Sequence, residues 1–156
     1  MLLKPEQLRE ALIRSVPQLT QNPDSLKISI GSGRIVSTLA SSLSFEYQYQ
    51  LNLVITDYAE NIDLIMVPAL AWLRENQPDI MSTEEKRRTG FTFKVNMISD
   101  TSGDITIDIQ LTERVIVKQD GEALLVNHIG ELPLPENVNR PLQLYVHGEL
   151  FNELNP

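Results

Sequence analysis

Alternating apolar and polar residues mark the strands of this chain. The longest such run extends from Phe45 to Thr56, with an apolar residue at every second position and mostly Glu, Gln, Asn or Thr between. Two more runs, 91–95 and 105–111, alternate in the same way on either side of a turn at 100–104. Strict alternation is typical of strands with one buried face, so we predict a long strand and, later, an antiparallel hairpin.

The second half of the chain predicts further strands. After Thr112 the strand is expected to run on through Val117, to turn at Asp120-Gly121 and to return over 123–126. Three prolines between 133 and 141 favour a loop there. A last short strand at 142–146 with a turn at Gly148 is expected to follow, and then a loose tail after Phe151.

A helix is predicted near the start of the chain. Leu8, Leu12 and Val16 recur at helical spacing, and Pro5 lies in the first turn, where proline is favourable. We therefore predict a helix from about Lys4 to Val16, followed by a connector from Gln18 to Asp24.

A second helix is predicted from about Asp63 to Asn76-Gln77-Pro78. Asn61 or Asp63 can cap its start with a side-chain oxygen, and the proline after Gln77 ends it. Pro68 falls inside the pattern and is expected to distort the helix locally, because proline lacks the backbone N–H.

This second helix is apolar on nearly every face between Ile62 and Leu73, and it carries the only tryptophan, Trp72. A helix of that kind lies between layers or against a partner. Two interpretations remain open: a core helix packed on the sheet, or a core helix whose far side also meets a neighbouring subunit. In the second case Trp72 and Leu73 are candidate interface residues.

Residues 26–30 alternate, Gly31-Ser32-Gly33 follows, and 34–39 is again strand-like. The G-x-G spacing superficially resembles a dinucleotide fold, but the third glycine position is Val36, and the residues after it are poor helix formers. We therefore predict a hairpin with its turn at the two glycines.

Lys86, Arg87 and Arg88 form the one basic cluster, and Glu84 and Glu85 directly precede it. One interpretation is a solvated loop between a helix and a strand. The other is a contact patch for an acidic surface, which makes these three residues candidate interface residues as well.

Composition limits the class of protein. The chain has 156 residues, 42% of them apolar, which predicts one α+β domain over 1–156 with an ordered core of about 4–151. The net charge of −8 disfavours nucleic acid as the main partner. No apolar run is long enough to span a membrane and no secretory signal opens the chain, so we expect a soluble protein made in the cytoplasm.

The sequence offers no supported catalytic or metal site. It has no cysteine, and His128 and His147 lack the spacing of a zinc site or the motif of a serine hydrolase. Asp100, Asp104 and Asp108 do not match a calcium loop, and the last two are expected on the polar face of a strand. We predict no metal, no cofactor and no enzymatic activity. A small-ligand-binding domain or an enzyme using a carboxylate pair remains the alternative.

Several segments together resemble the tail completion protein R family of contractile-tailed temperate phages. The most specific are 37–46 (STLASSLSFE) and 67–81 (VPALAWLRENQPDIM), and the others are 90–93 (GFTF), 111–114 (LTER) and 144–150 (LYVHGEL). The resemblance covers the chain from Leu3 to about Asn152 and is weakest between Val115 and Asn139.

This resemblance implies a structural protein of phage morphogenesis. Such a protein completes the head-proximal end of the tail and makes it competent for head joining. It implies a tail-terminator-like fold, in which two main helices pack on an antiparallel or mixed sheet, and a hexameric ring by analogy. The implied partners are the tail tube protein, then the sheath and head-completion proteins. The implied location is the virion tail or a phage-tail-like particle, assembled in the host bacterial cytoplasm.

Overall fold

The structure is a computed structural model that describes residues 2–130, 143–146 and 149–153. Its helices are α1 (Leu3–Ser15), α2 (Pro17–Gln21), α3 (Asp63–Asn76) and α4 (Glu84–Thr89), with a 3₁₀ turn at Pro23–Ser25. Its strands are β1 (Leu26–Val36), β2 (Phe45–Tyr58), β3 (Phe91–Met97), β4 (Gly103–Asp120), β5 (Ala123–Ile129), β6 (Gln143–Val146) and β7 (Glu149–Glu153). This confirms the predicted α+β class.

Five strands form one sheet around the long strand β4. The order is β1-β2-β4-β3, and β5 also pairs with β4. One edge of β4 pairs with β2, while the other edge pairs first with β3, from Gly103 to Ile109, and then with β5, from Arg114 to Asp120. Every pairing is antiparallel, so of the two expected sheet types the antiparallel one is found. β6 and β7 form a separate antiparallel pair, and β6 lies beside α3.

One face of the sheet is buried beneath the helices. The odd-numbered residues of β2 and β4 point to this face, which we call the helix side. Among the fully buried side chains there are Leu51, Leu53, Ile55, Ile107 and Ile109 of the sheet and Leu8, Leu12, Leu19, Ile65 and Leu73 of the helices. Every second residue of the strands and one face of each main helix are therefore buried together, and they form a single large core.

In the centre of the sheet, the opposite face of β2 and β4 carries mostly polar residues. Asn52 Nδ2 donates to Asp108 Oδ1 across the β2–β4 pair at 2.7 Å, and Asp104 Oδ1 accepts from the backbone N–H of Asp57 at 2.9 Å. Asp104 and Asp108 thus lie on the polar face, as the alternation predicted. Their carboxylates bond to neighbouring protein groups in the sheet.

Both predicted main helices are present. At the start of α3 the side-chain oxygen of Asn61 accepts from the N–H of Asp63 at 2.9 Å, which makes Asn61 the useful one of the two candidate caps. Pro68 is buried inside the helix, and the N–H of Gln77 closes its end on the carbonyl of Leu73 at 2.7 Å. None of the helices in the described part of the chain has the length and apolar character that a membrane span requires.

The predicted hairpin over residues 26–39 is wrong. β1 runs without a turn from Leu26 to Val36 and pairs with β2 throughout, with a bulge between Ile30 and Ser32. The long β2 offers a partner along the whole segment, so the glycines are not needed for a turn. The bulge adds one residue, and it therefore keeps Ile35, opposite Tyr47, on the helix side together with Ile30.

Two predicted loops are also corrected. The connector from Gln18 to Asp24 contains most of α2 and the start of the 3₁₀ turn, because Pro17 opens a new helix at its first position. The basic segment 86–88 is part of α4, whose start is capped by Thr83. β6 confirms the last predicted strand, whereas the proline-rich loop, His147 and Gly148 lie outside the described residues.

Candidate functional site

The two candidate interface residues of α3 occupy different environments. Leu73 is 1% exposed and belongs to the central core, so its side chain is engaged within the subunit. Trp72 is half-buried and packs against the edge of that core. Leu70, by contrast, is 42% exposed on the same helix. The solvent-facing part of α3 therefore includes Leu70 and the outer part of Trp72.

The basic cluster lies on the surface. Thr83 Oγ1 accepts from the N–H of Lys86 at 3.1 Å, and no residue of α4 is buried. Lys86 Nζ forms an ion pair with Asp79 Oδ2 at 3.3 Å, and both side chains are about half exposed. Arg87 and Arg88 are exposed on the same helix. Three cations are thus presented on a short, solvated helix.

Asp79 links this basic helix to a buried amide at the end of α3. Desolvation would raise the pKa of the Asp79 carboxyl, but hydrogen bonds from Gln77 and Lys86 and the charge of Lys86 outweigh it and hold the pKa below its ordinary value. Gln77 Nε2 donates to Asp79 Oδ1 at 2.8 Å. The ionised form of Asp79 is therefore the form that the structure stabilises.

The side chain of Gln77 is 3% exposed and uses all its hydrogen-bonding capacity. Its Oε1 accepts from Lys4 Nζ at 2.7 Å and from the N–H of Thr112 at 3.0 Å. Its Nε2 donates to Thr112 Oγ1 at 3.0 Å as well as to Asp79. This one amide joins the start of α1, the end of α3 and the middle of β4.

A second buried polar group lies on β4 at the residue that follows Thr112. Glu113 is 5% exposed, and its Oε1 accepts from the N–H of Leu3 at 2.9 Å. Its Oε2 accepts from the hydroxyl of Tyr49 at 2.6 Å, and His128 Nδ1 lies 3.3 Å from Oε1. Glu113 thus supplies a carboxylate to the N-terminus of α1, where free N–H groups and the helix dipole favour a negative charge.

The contacts of Glu113 show a structural carboxylate. Burial raises the pKa of the Tyr49 hydroxyl above its ordinary value, and the hydrogen bond and charge of Glu113 raise it further. Tyr49 therefore stays protonated and donates to the carboxylate. Both oxygens of Glu113 are engaged by the protein, so this group gives the carboxylate-enzyme alternative no support. The described residues also hold no group of three or more metal-ligating side chains.

Sequence reasoning missed Gln77, Lys4 and Glu113. One signal was available for Glu113: it occupies an odd position between Leu111 and Val115, in a run whose odd residues are buried. For Gln77 the only local signal was its place at the end of a helix, and for Lys4 its place at the start of one. Neither position indicates that the side chain is buried.

Most of the exposed large apolar side chains among the described residues lie on the edge strands of the sheet and the loops beside them, and one of them, Leu70, lies on α3. On β1 and the following loop they are Ile30, Ile35, Val36, Leu39 and Leu43; on β5 they are Leu124, Leu125, Val126 and Ile129; on and after β3 they are Phe93, Val95, Met97 and Ile98. Exposed apolar groups at strand edges are typical of contact surfaces. These edges are therefore candidate interfaces that the sequence pattern did not single out.

Comparison with known proteins decides the family. The family model of P2 phage tail completion protein R matches residues 2–132. The chain belongs to the P2 phage tail completion protein R family. Tail completion protein R of Escherichia phage P2 is 51% identical to it over 152 residues, which are 97% of this chain and 98% of that protein. No solved structure matches the chain.

Membership in the tail completion protein R family confirms the resemblance drawn from the sequence. It assigns the chain to phage tail morphogenesis and associates it with the virion tail. The matched range contains every element from α1 to β5. The Gln77 and Glu113 networks and the exposed sheet edges all lie within the matched range.

Proposed function

We propose that this protein is a structural subunit, without enzymatic activity or a cofactor, that caps the head-proximal end of a contractile tail and makes it competent for head joining. The observation that carries the proposal is the 51% identity, over nearly the full length of both chains, to a protein named for tail completion. The whole chain acts as a single tail completion domain, assembled in the host bacterial cytoplasm.

The cap is a homo-oligomeric ring, with six subunits by analogy with tail terminators, seated on the tail tube protein. The sheath and head-completion proteins are its further partners. A ring needs heterologous contacts, in which each subunit offers one surface and accepts another. The asymmetric set of exposed apolar strand edges supports this arrangement, because it provides different surfaces on the two sides of one subunit.

The candidate contact residues that the sequence indicated remain part of this proposal. Trp72 and Leu73 mark α3, and Leu70 gives that helix an exposed apolar residue beside Trp72. Lys86, Arg87 and Arg88 present positive charge on α4 to an acidic partner surface. Since Leu73 is inside the core, its contribution is to hold α3 in place rather than to touch a neighbour.

Electron microscopy of tails assembled with and without this protein tests the function. We expect that tails made without it are aberrant in length or fail to join heads, and that supplying the protein restores normal, head-joined tails. Normal head-joined tails in its absence would overturn the proposal. Substitution of Lys86, Arg87 and Arg88 by glutamate then tests the basic contact separately, since α4 buries no side chain and the variant should fold.

A further inference from the structure

β5 presents apolar side chains on both of its faces. Val126 pairs with Val117 and Leu124 with Gln119, so these two point to the helix side, while Leu125 and Ile129 point to the opposite side. All four are between 43% and 58% exposed. A helix or a flat surface packed on the sheet would cover only one face of β5. A strand added at its edge would cover side chains on both.

The other border of the sheet has the same character. Among the described strands β1 pairs only with β2, so its second edge is open. Near its end Ile35 is 66% exposed on the helix side and Val36 is 43% exposed on the opposite side. An open edge with apolar groups on both faces is a template for pairing with another chain.

A groove runs along β1 on the helix side. It consists of two adjoining clefts, of about 390 and 230 Å³, that share Leu2 and Ile30. Ile28 lines one cleft, and Ile35 and Tyr47 line the other. The groove therefore offers apolar room for side chains of an incoming strand on that face, where β5 carries Leu124 and Val126.

Strand directions also match between copies. The strands β1, β2, β4 and β5 alternate in direction, since each pairs antiparallel with the next. In a continuing antiparallel sheet, the strand that follows β5 must therefore have the same direction as β1. A second copy in the same orientation provides such a strand, its own β1. The strands of a closed sheet are tilted, and the resulting stagger shifts the two paired edges along each other.

Charge distinguishes this pairing from the symmetric ones. β1 carries Lys27 and Arg34 and no acidic residue, whereas the turn and strand from Asp120 to Ile129 carry Asp120 and Glu122 and neither lysine nor arginine. Pairing β5 with β5 or β1 with β1 would join two edges of the same net charge. Pairing β5 with β1 joins an acidic edge to a basic one.

We propose that the subunits join edge to edge, with β5 of one copy adding to the β1 edge of the next and placing Leu124 and Val126 in the groove beside Ile35. This inference rests on the proposed ring and names the contact that closes it. Head-to-tail addition repeats in one direction, so it generates a ring when the rotation between neighbours closes, and it does not stop at a symmetric dimer.

Paired cysteines test the contact, because the native chain contains none. Leu125→Cys and Val36→Cys, singly and together, are introduced into the full chain, and assembled tails are treated with a flexible bis-maleimide. We expect the double variant to give a ladder of covalent oligomers and each single variant to stay monomeric. Dimers from Leu125→Cys alone would show β5–β5 pairing and overturn the proposal.

Charge insertion gives a second measurement with a matched control. Val126→Lys places a cation in the proposed contact, and Thr101→Lys places one at an exposed position of the turn between β3 and β4, outside the candidate contact surfaces. With thermal melts to verify folding of both, we expect loss of capped tails for Val126→Lys and none for Thr101→Lys. The reverse pattern, or equal effects of the two, would overturn the edge assignment.

The two readouts separate this contact from the capping function. Capped, head-joined tails without the double-variant ladder would overturn the edge contact and leave the function standing. A ladder formed by the purified protein, together with tails that do not depend on it, would leave the contact standing and overturn the function. If no ladder forms and the tails do not depend on the protein, the edge contact and the capping function are both overturned.

Discussion

The side-chain amide of Gln77 forms two hydrogen bonds with Thr112, accepting from its N–H and donating to its Oγ1, each at 3.0 Å. Thr112 lies on the edge of β4 between the end of its pairing with β3 at Ile109 and the start of its pairing with β5 at Arg114. Gln77 therefore replaces a missing strand over this gap. It satisfies a partly buried backbone N–H that no strand reaches.

Gln77→Leu is expected to lower the free energy of unfolding by about 2–4 kcal/mol, because the N–H of Thr112 loses its acceptor and other buried bonds are lost with it. Urea denaturation monitored by tryptophan fluorescence measures the change. Gln110→Leu is the matched control: the side chain of Gln110 is exposed on the same strand, and its effect should stay within about 0.5 kcal/mol. Equal effects of the two substitutions would contradict the structural role of Gln77.

Tyr49→Phe is expected to destabilise the protein by about 1.5–3 kcal/mol, because it removes a short hydrogen bond to a buried charged group. The control is Tyr58→Phe, since the Tyr58 hydroxyl donates to a neutral backbone carbonyl, that of Asn61, at 2.9 Å. That change should cost only about 0.5–1.5 kcal/mol. Chemical denaturation of both variants measures the two losses of unfolding free energy. A larger loss for Tyr58→Phe would refute the structural role given to Glu113.

Three residues of α3 should respond differently to truncation. Leu73→Ala should cost about 2–5 kcal/mol, as expected for a fully buried leucine. Trp72→Ala should cost less than the roughly 3–5 kcal/mol of a fully buried aromatic side chain, because Trp72 is half-buried. Leu70→Ala should change stability by less than about 1 kcal/mol.

The same three variants separate core from interface. Denaturant unfolding of the isolated protein gives the stability order, and counts of head-joined tails give the assembly effect. A fully stable Leu70→Ala protein that fails to cap tails would assign the exposed side of α3 to a contact. If Leu73→Ala were as stable as the wild type, the core assignment of that residue would be wrong.

The ion pair of Asp79 predicts a pH dependence. The folded-state pKa of Asp79 lies below its ordinary value of 3.8, so the stability it contributes is present at pH values above the unfolded-state pKa and is lost as the pH falls through the lower folded-state value. The difference in unfolding free energy between wild type and Asp79→Asn should therefore be constant from neutral pH to about pH 5 and shrink below about pH 4.

Since both partners are about half exposed, the Lys86 part of this effect is screened by salt. Denaturation curves of the two proteins across pH provide the measurement. A difference that grows as the pH falls would mean that the ionised carboxylate is not the stabilised form.

Much of the fold was predictable because it depends on residues close in sequence. The alternation in β2 and β4 and the helical spacing in α1 and α3 each require a particular face to be buried, whatever lies opposite. The family was recognisable in the same way, from short segments such as 67–81, and the matches confirm it. The exposure of Lys86, Arg87 and Arg88 also followed from local composition.

The candidate contact surfaces and the buried polar groups were less predictable. Glu113 meets Leu3 and Tyr49 from distant parts of the chain, and Gln77 meets Lys4 and Thr112. Their burial depends on where α1 and the end of α3 come to lie on the sheet. A sequence pattern shows which face of β4 is buried, but it does not show which polar groups on other elements will meet it there.

The course of β1 shows the same division. Local sequence determined that residues 26–30 and 34–36 are extended and that glycines separate them, which is equally compatible with a turn or with a bulge. Only the tertiary structure decided for the bulge, because β2 from Phe45 to Tyr58 is long enough to pair with the whole segment. Backbone hydrogen bonds to a strand that lies further along the chain thus determine the conformation of Gly31, and they leave the β1 edge open beside its groove.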